Sequence, residues 1–316
     1  MSEEIVLSKK PLAAKRSGKK ALTKASDFHP EVLRLFDQYV HGLTSRRGFL
    51  RGASTYAAVS GATAVELLDA LNPRFAAAEK IPATDPRIKT EFVEIDSPQG
   101  YGKVRGLLAR PANAKGKLPV VLVIHENRGL NPHIEDIARR LAVDNFIAFA
   151  PDALFPLGGY PGDEDKAREL FPKLDQTKTR EDFVAAALYA QNLPDGNGKL
   201  GAVGFCYGGG IVNFLAERLP GLGAGAPFYG APPPLDQVAA IKAELALQFA
   251  GKDERINAGW PAYEAALEKA GVKSQAYIYA NVEHGFNNDT TPRFDPAAAD
   301  LAWQRTLALF NRTLRG

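Results

Sequence analysis

The stretch Gly204-Phe205-Cys206-Tyr207-Gly208-Gly209-Gly210 decides the fold of this 316-residue chain. It follows an apolar strand pattern at 199–203 and precedes a helical pattern that begins at Ile211. A strand that turns sharply into a helix strains the residue at the turn, and glycine at positions 204 and 208 lets the two elements approach because it has no Cβ. The pattern predicts Cys206 at a helix N-terminus, where the helix dipole favours the thiolate.

Cys206 is the only cysteine of the chain, which excludes an intramolecular disulfide framework and a zinc site built on several cysteines. A lone cysteine is most often an inert, buried apolar residue. The glycines around Cys206 and its place between a strand and a helix favour a nucleophile instead.

Short apolar runs alternate with helical patterns from Ile88 onward, which predicts an α/β fold with a mostly parallel sheet between layers of helices. The runs 120–124 and 146–150 are apolar without alternation, as expected of strands buried on both faces. The predicted strands are 90–95, 104–109, 119–125, 146–150, 200–205, 224–229, 244–250 and 275–280. The predicted helices are 132–143, 180–191, 209–218, 258–270 and 297–314.

A thiol nucleophile needs a base, and His284 is the only histidine that follows Cys206 in the chain. Asp253 lies in the turn after a predicted strand, where its carboxylate could accept the Nδ1 proton of the histidine. The order Cys206, Asp253, His284 is the order of nucleophile, acid and base that accompanies this kind of elbow. Glu254 and Glu283 remain alternatives for the orienting carboxylate.

The loop after the buried strand 119–125 carries a second group of polar residues. In folds with such an elbow this loop supplies one oxyanion-hole amide and the residue after the nucleophile supplies the other, so we assign these donors to Asn127 and Tyr207. The pair His125 and Glu126 is not a zinc motif, because the motif needs a histidine at position 129, which is glycine. His125 is therefore predicted to be a structural loop residue.

Together these motifs resemble the dienelactone hydrolase family of α/β-hydrolases over about residues 88–314. The cysteine elbow, the His-Glu pair, the segment Pro227-Phe228-Tyr229-Gly230, the Gly-x-Asp turn and the His-Gly-Phe loop carry the resemblance. The resemblance implies hydrolysis of an enol-lactone or related ester through an acyl-cysteine intermediate, without a metal or an organic cofactor. It also implies that Glu126 holds the resting thiol and accepts its proton when substrate arrives.

The chain departs from the family at one substrate contact. The family's arginine four residues after the catalytic histidine is replaced by Asn288, which leaves the specific substrate open. Arg168 lies near the position of the family's other anion-binding arginine and is the predicted contact for a substrate carboxylate. Arg128, Arg255 and Arg293 are the alternatives.

Residues 1–80 form an extension ahead of the hydrolase-like domain, which we place at 81–316. The string Ser45-Arg46-Arg47-Gly48-Phe49-Leu50-Arg51 and the weakly apolar residues 52–65 after it resemble a twin-arginine export signal, which predicts a periplasmic protein and the export machinery as a partner. The apolar run is too short for a membrane span, which needs ~20 residues. Because a long prefix precedes the arginine pair, a structural helical arm in a cytoplasmic protein is the alternative, and residues 30–40 have the helical apolar spacing that suits docking.

The composition, 45% hydrophobic and 24% charged, is that of a soluble globular protein. The net charge of +3 comes largely from lysines within the first 24 residues, and no nucleic-acid-binding pattern accompanies them. The predicted partner is a small ester or lactone substrate. A broader esterase or thioesterase with the same triad and a non-catalytic ligand-binding envelope protein are the alternatives.

Overall fold

A computed structural model describes residues 21–315, so most of the lysine-rich tail lies outside the described residues. Eight strands form one sheet, and every predicted strand is confirmed to within a few residues. The strands are β1 (Ile88–Ser97), β2 (Gly102–Pro111), β3 (Leu118–Ile124), β4 (Ile147–Pro151), β5 (Gly196–Phe205), β6 (Leu222–Phe228), β7 (Glu244–Ala250) and β8 (Ser274–Tyr279). Their order is β1-β2-β4-β3-β5-β6-β7-β8, with β1 and β2 antiparallel at one edge and the other six strands parallel.

The helices of the described residues include each one predicted from the sequence and several that were not. They are α1 (Pro30–Val40), α2 (Arg46–Ser60), α3 (Ala64–Leu71), α4 (Phe75–Ala78), α5 (Pro132–Val143), α6 (Glu164–Leu170), α7 (Gln176–Gln191), α8 (Tyr207–Arg218), α9 (Glu254–Asn257), α10 (Trp260–Ala270) and α11 (Pro296–Leu314). The helix predicted at 258–270 is confirmed as α10, and the short helix α9 that precedes it was not predicted.

The sheet separates two apolar cores, which explains the unbroken apolar run of β3. Val120, Leu122 and Ile124 point into the core beneath α7, α8 and α10. Val121 and Val123 point into the opposite core, beneath α5 and α11. Because successive side chains of a strand face opposite sides, a strand between two cores needs apolar residues at every position. The predicted three-layer α/β architecture is confirmed.

Helices α1, α2 and α3 form a small apolar core of their own. Its fully or nearly fully buried members include Val32, Phe36, Tyr39, Phe49 and Leu67. The helical spacing read in residues 30–40 is confirmed, since α1 buries one apolar face in this core. The N-terminal segment therefore folds into packed helices.

The arginine pair of the export-like string lies in the first turn of α2. Ser45 caps this helix by accepting a hydrogen bond from the backbone N–H of Gly48 at 3.1 Å. Arg46 and Arg47 are exposed, whereas Phe49 is buried in the N-terminal core. Export through this string stays a prediction. No helix within residues 21–315 has the length and apolar character to cross a bilayer.

The N-terminal helices contact the rest of the protein at the edge where the parallel strands end. The backbone carbonyl of Val40 accepts a hydrogen bond from Asn127 Nδ2 at 2.8 Å. The backbone N–H of Arg74 donates to the carbonyl of Thr290 at 2.8 Å. The guanidinium of Arg293 lies over the ring of Phe36, 5.1 Å from its centroid. These contacts hold the C-terminal end of α1 over the ends of β3, β5, β7 and β8.

Replacement of Gly208 by alanine is expected to destabilise the protein strongly. A Cβ at Gly208 would lie 2.3 Å from the backbone oxygen of Ile124, an atom that cannot move without displacing strand β3. We expect a loss of at least about 1–3 kcal/mol in the free energy of unfolding, measured by urea denaturation.

Gly210→Ala is the matched control for Gly208→Ala, because it lies in the same helix and its Cβ would be 3.7 Å from the nearest atom, an ordinary contact. It should leave the stability unchanged or raise it by about 0.5–1 kcal/mol, since alanine favours a helix interior. Equal stabilities for the two variants would contradict the close approach of α8 to β3.

Candidate active site

Cys206 occupies the turn between β5 and α8 with a left-handed backbone, at φ 55° and ψ −112°. This conformation is strained for a residue with a side chain and is held here by the surrounding structure. The backbone N–H of Cys206 donates to the carbonyl of Phe228 at 3.0 Å, and a Cβ at Gly204 would lie 2.2 Å from the backbone oxygen of Gly208. The predicted turn at Cys206 is confirmed, and the sulfur lies at the N-terminus of α8.

The structure brings the three predicted triad residues together. Asp253 follows β7 and His284 lies in the loop after β8, so both come from neighbouring strand ends. His284 Nδ1 is 2.5 Å from Asp253 Oδ2, and both side chains are buried. A ring nitrogen of His284 lies within 4.8 Å of Cys206 Sγ, and Nε2 has no hydrogen-bond partner among residues 21–315. The free ring nitrogen is therefore available to the thiol or to a bound substrate.

The charges around Cys206 and His284 favour an ion pair between the Cys206 thiolate and the His284 imidazolium. Burial would raise the pKa of the Cys206 thiol, but the positive charges of His284 and His41 outweigh burial and lower this pKa to about 6. Burial would lower the pKa of His284, but the negative charge of Cys206 and the hydrogen bond that His284 donates to Asp253 raise it. The two groups stabilise each other's charged forms, so they titrate as a pair.

The predicted oxyanion donors both line a cavity that reaches Cys206. Tyr207 is the first residue of α8, so its backbone N–H is one of the four that lack an acceptor within the helix. The side chain of Asn127 is held by Val40 and by Arg128, whose Nη1 donates to Asn127 Oδ1 at 2.7 Å. Asn127 and Tyr207 thus lie on two sides of the cavity beside the sulfur.

Glu126 and Asn288 form a hydrogen-bonded pair beside the same group. Asn288 Nδ2 donates to Glu126 Oε2 at 3.1 Å. Asn288 Oδ1 in turn accepts from the backbone N–H and the hydroxyl of Thr290, so the amide is fixed. Glu126 and Asn288 line a narrow cleft that also contains Cys206 and His284. At the position of the family's arginine, this chain therefore places a residue that orients Glu126.

His125 has the structural environment that the sequence predicts. Its ring is completely buried against Phe171 and Phe183. Its Nε2 accepts a hydrogen bond from the backbone N–H of Ala153 at 3.0 Å, and burial lowers its pKa. His125 therefore fixes the loop after β3 as a neutral ring.

Two aromatic residues at the site were not predicted. His41, the residue after α1, places Nε2 3.3 Å from Cys206 Sγ. His41 precedes Cys206 by 165 positions, whereas the predicted base, His284, follows it. Tyr229 packs its ring 4.8 Å from that of His284, and its buried hydroxyl has no hydrogen-bond partner among residues 21–315. For His41, the only signal in the sequence was its spacing of four residues from Asp37, which places both on one face of the helix.

The cavity beside Cys206 has a volume of about 410 Å³. Three arginines line it, and none of its described lining residues is acidic; the arginines are Arg168, Arg180 and Arg255. Apolar side chains, including those of Phe171 and Phe214, form much of the rest. A ligand with an apolar body and a negatively charged group would suit this lining.

Comparisons with known proteins agree with this fold and this arrangement of strand ends. The sequence model of the dienelactone hydrolase family matches residues 104–314, and a second model, described as YqhI-like, matches residues 20–58. A "putative carboxymethylenebutenolidase" of Synechocystis sp. is 34% identical over 246 residues, which cover 72% of this chain and 98% of the relative. A "putative hydrolase fragment YghX" of Escherichia coli is 53% identical over 115 residues, which cover 36% of this chain and 98% of the relative.

Solved structures of similar proteins have the same fold. The crystal structure of a "putative dienelactone hydrolase" from Klebsiella pneumoniae is 29% identical, with a TM-score of 0.62 over 71% of this chain and 99% of that chain. An acylaminoacyl peptidase of Pyrococcus horikoshii, 15% identical with a TM-score of 0.56, shares the α/β-hydrolase fold. The family model covers most of the sheet and all three of Cys206, Asp253 and His284. The chain is therefore a hydrolase that belongs to the dienelactone hydrolase family.

Proposed function

We propose that this protein hydrolyses small carboxylic esters or enol-lactones through an acyl-cysteine intermediate, with Cys206, His284 and Asp253 as a catalytic triad. The observation that carries the proposal is the ring of His284, which lies within 4.8 Å of a sulfur held on a strained turn and whose buried Nε2 has no partner among residues 21–315. The hydrogen bond that His284 Nδ1 donates to Asp253 Oδ2 fixes the ring and leaves Nε2 for the thiol.

The first half of the reaction transfers the acyl group to sulfur. The Cys206 thiolate attacks the carbonyl carbon, a C–S bond forms, and the carbonyl oxygen becomes an oxyanion held by the backbone N–H groups of Asn127 and Tyr207. Collapse of this intermediate breaks the C–O bond of the ester. The imidazolium of His284 donates its Nε2 proton to the leaving alkoxide or enolate, which departs as the alcohol or enol.

The second half consumes one water molecule. His284, now neutral, accepts a proton from water, whose oxygen attacks the thioester carbonyl. The C–S bond breaks, the carboxylic acid is released, and the thiolate and the imidazolium of the resting enzyme are restored. The fixed carboxylate of Glu126 is placed to serve as a further proton acceptor near the thiol, as the family resemblance implies.

The lining of the cavity supports an anionic substrate, with Arg168 as a contact for its carboxylate. The guanidinium of Arg168 packs over the ring of Tyr39 at 4.3 Å from its centroid, which fixes its position. Its buried Nε has no hydrogen-bond partner among residues 21–315, and the nearest carboxylate oxygen, on Asp165, is 4.0 Å away. A buried donor without a partner favours a ligand that supplies one.

Cys206→Ala should abolish covalent acyl transfer, because the sulfur is the only nucleophile of the triad. The loss of kcat/KM with an activated ester is expected to be several orders of magnitude. Mass spectrometry of the intact wild-type protein, mixed with activated esters and lactones and quenched, should show the mass of one acyl group, which the variant lacks. Cys206→Ser should also be poor, since the surrounding charges are arranged for a thiolate. Hydrolysis by the alanine variant at close to the wild-type rate would rule out the mechanism.

The rate of hydrolysis should depend on pH through the two charged groups. The reactive form is the thiolate, so kcat/KM and the rate of alkylation by iodoacetamide should rise with pH through the thiol pKa of about 6. The leaving group needs the imidazolium, so kcat/KM should fall again at alkaline pH, where His284 loses the proton that Cys206 and Asp253 stabilise.

Asp253→Asn separates the two limbs of this pH profile. It removes the carboxylate that raises the pKa of His284, so the alkaline limb should move to lower pH, and kcat should fall by roughly 10²–10⁴-fold. Glu254→Gln is the control, because it removes the neighbouring carboxylate that the sequence left as an alternative. A larger loss of kcat in Glu254→Gln than in Asp253→Asn would show that Glu254, and not Asp253, orients His284.

Arg168→Gln should weaken the hydrolysis of a lactone that carries a carboxylate by about 10–100-fold in kcat/KM, as expected for the loss of a hydrogen bond to a charged group. Hydrolysis of its uncharged methyl ester should change little. The control is Arg218→Gln on α8, since Arg218 is not among the residues that line the cavity. If wild type shows no preference between the two substrates and Arg168→Gln changes neither rate, Arg168 does not bind the substrate carboxylate.

A further inference from the structure

The sulfur of Cys206 lies between two imidazole rings from opposite parts of the chain. His284 belongs to the loop after β8, whereas His41 ends helix α1 of the N-terminal segment. His41 Nε2 is 3.3 Å from Cys206 Sγ. The two rings meet edge to face, with centroids 4.9 Å apart and planes at 84°. The second ring is in contact with a reacting atom of the proposed mechanism.

His41 is held in the same way as a catalytic histidine. Its Nδ1 is 2.7 Å from the backbone oxygen of Asp37 and 3.2 Å from the carboxylate oxygen Oδ1 of the same residue. These contacts leave a proton on Nδ1 and direct the lone pair of Nε2 toward the sulfur. The carboxylate of Asp37 thus lies beside the His41 ring, as that of Asp253 lies beside His284, although the nearer partner of His41 Nδ1 is the backbone oxygen of Asp37.

The contacts on either side of His41 anchor it to the hydrolase domain. Val40, the preceding residue, accepts the hydrogen bond from Asn127 Nδ2. Phe36, one turn earlier, packs under Arg293. Because Asn127 also lines the oxyanion side of the cavity, the end of α1 and the active site share a supporting side chain.

His41 leaves the thiol accessible. Cys206 is only partly buried, and both His41 and Cys206 line the cavity of about 410 Å³. The side chain of His41 retains 13% of its exposure and forms part of the cavity wall. A substrate in this cavity would therefore reach the sulfur with His41 still in place.

We propose that His41 is a second catalytic imidazole, which accepts the thiol proton of Cys206 and holds the thiolate, so that the N-terminal segment completes the active site. This inference rests on the proposed acyl-cysteine mechanism and adds a residue to it. In the resting enzyme the S–H proton moves to Nε2 of His41, which leaves an imidazolium beside the thiolate. His284 takes its own proton from solvent and donates it to the leaving group, so the reactive form carries one proton on each imidazole beside the thiolate.

The charged groups around His41 are consistent with this role. Burial would lower the pKa of His41, but the negative charge of Cys206 and the hydrogen bond with Asp37 raise it, while His284 opposes them. Arg255 Nη2 is 3.1 Å from the same Nε2 and competes for its lone pair, since a guanidinium only donates. Arg255 is 38% exposed and its Nε is 3.8 Å from Asp37, so it can turn to this carboxylate when Nε2 is protonated. Arg293 also faces Asp37, at 3.9 Å.

The match to the dienelactone hydrolase family does not include His41. The dienelactone hydrolase model begins at residue 104, whereas the YqhI-like model covers residues 20–58 and so contains both Asp37 and His41. The relative from Synechocystis is matched over 98% of its length by 72% of this chain. The contribution of His41 is thus an addition by the N-terminal segment to a hydrolase domain that matches its relatives.

The test compares full-length His41→Asn with wild type and with His29→Asn. Asparagine at position 41 keeps a polar side chain at the end of α1 but cannot carry a charge. His29→Asn is the matched control, because it also removes an imidazole from an end of α1 and keeps an N-cap acceptor. The measurements are the pH dependence of alkylation by iodoacetamide and kcat/KM for an activated ester.

In His41→Asn the apparent pKa of the thiol should rise by about 1–2, the usual effect of losing one opposite charge in contact. Alkylation at pH 6 should then slow by about 5–50-fold, in proportion to the lower thiolate fraction, and the rates should converge at alkaline pH, where both thiols are ionised. His29→Asn should match wild type. An unchanged thiol pKa in His41→Asn overturns the proposal, and faster alkylation at every pH would show instead that His41 shields the sulfur.

Asp37→Asn provides a second variant in case His41→Asn does not fold. Asp37 is a positioning residue, so the thiol pKa should rise here too, by less than in His41→Asn. Acyl-enzyme formation distinguishes this inference from the proposed function. If Cys206 is acylated in wild type but the thiol pKa is unchanged in both variants, only the role of His41 is wrong. If wild type shows no acylation, the acyl-cysteine mechanism itself is wrong.

The mature N-terminus in the native host tests the same inference independently. Cleavage of an export signal after the three alanines at 76–78 would begin the mature chain near Glu79 and remove His41 from the enzyme, which would overturn the proposal. A mature chain that retains residues 30–78 agrees with it. N-terminal sequencing of the protein purified from its host decides between the two.

Discussion

The close approach of strand β5 to helix α8 is the constraint on which the active site depends. Gly204 and Gly208 meet backbone to backbone, and Gly208 also lies against the carbonyl of Ile124 at the end of β3. No room exists at these positions for a side chain, so the chain must turn at Cys206 with a left-handed backbone. The turn lifts the sulfur above the edge of the sheet, at the start of a helix, where the dipole favours negative charge. The ends of β7 and β8 meet at the same edge and supply Asp253 and His284.

The charged side chains at this edge of the sheet stabilise one another, and none of them would be stable there alone. A thiolate buried alone would be costly, and a buried imidazolium equally so. Here the sulfur is flanked by two imidazoles, and each imidazole is paired with an aspartate. Loss of one member leaves the opposite charge buried without a partner. The thiol pKa and the position of α1 are therefore linked, which makes the N-terminal segment relevant to the chemistry as well as to the packing.

The N-terminal segment shows why one sequence pattern supports two interpretations. A serine before two arginines and a run of small and apolar residues is typical of an export signal, and it is equally a capped helix with one apolar face. In the folded protein Ser45 caps α2, and Phe49 fills the small N-terminal core. Export would depend on recognition of the arginine pair by the export machinery, which the packing of α2 does not test. The periplasmic location stays a prediction.

Much of the fold and part of the site could be predicted from the sequence alone, because they depend on local patterns. Apolar runs locate the strands, and glycines at fixed distances from Cys206 predict the turn. The order of strand ends then predicts that Asp253 and His284 meet it, since parallel strands end at one edge of a sheet.

Contacts between distant segments depend on tertiary structure, and no local pattern specifies them. The bond from Asn288 to Glu126 joins residues 162 positions apart, and that from His41 to Cys206 joins residues 165 apart. The three arginines of the cavity come from separate helices and share no spacing. The sequence by itself thus determined the hydrolase framework and the turn that carries Cys206, whereas packing of α1 on the sheet edge decided which second imidazole touches the sulfur, because only the folded chain brings these surfaces together.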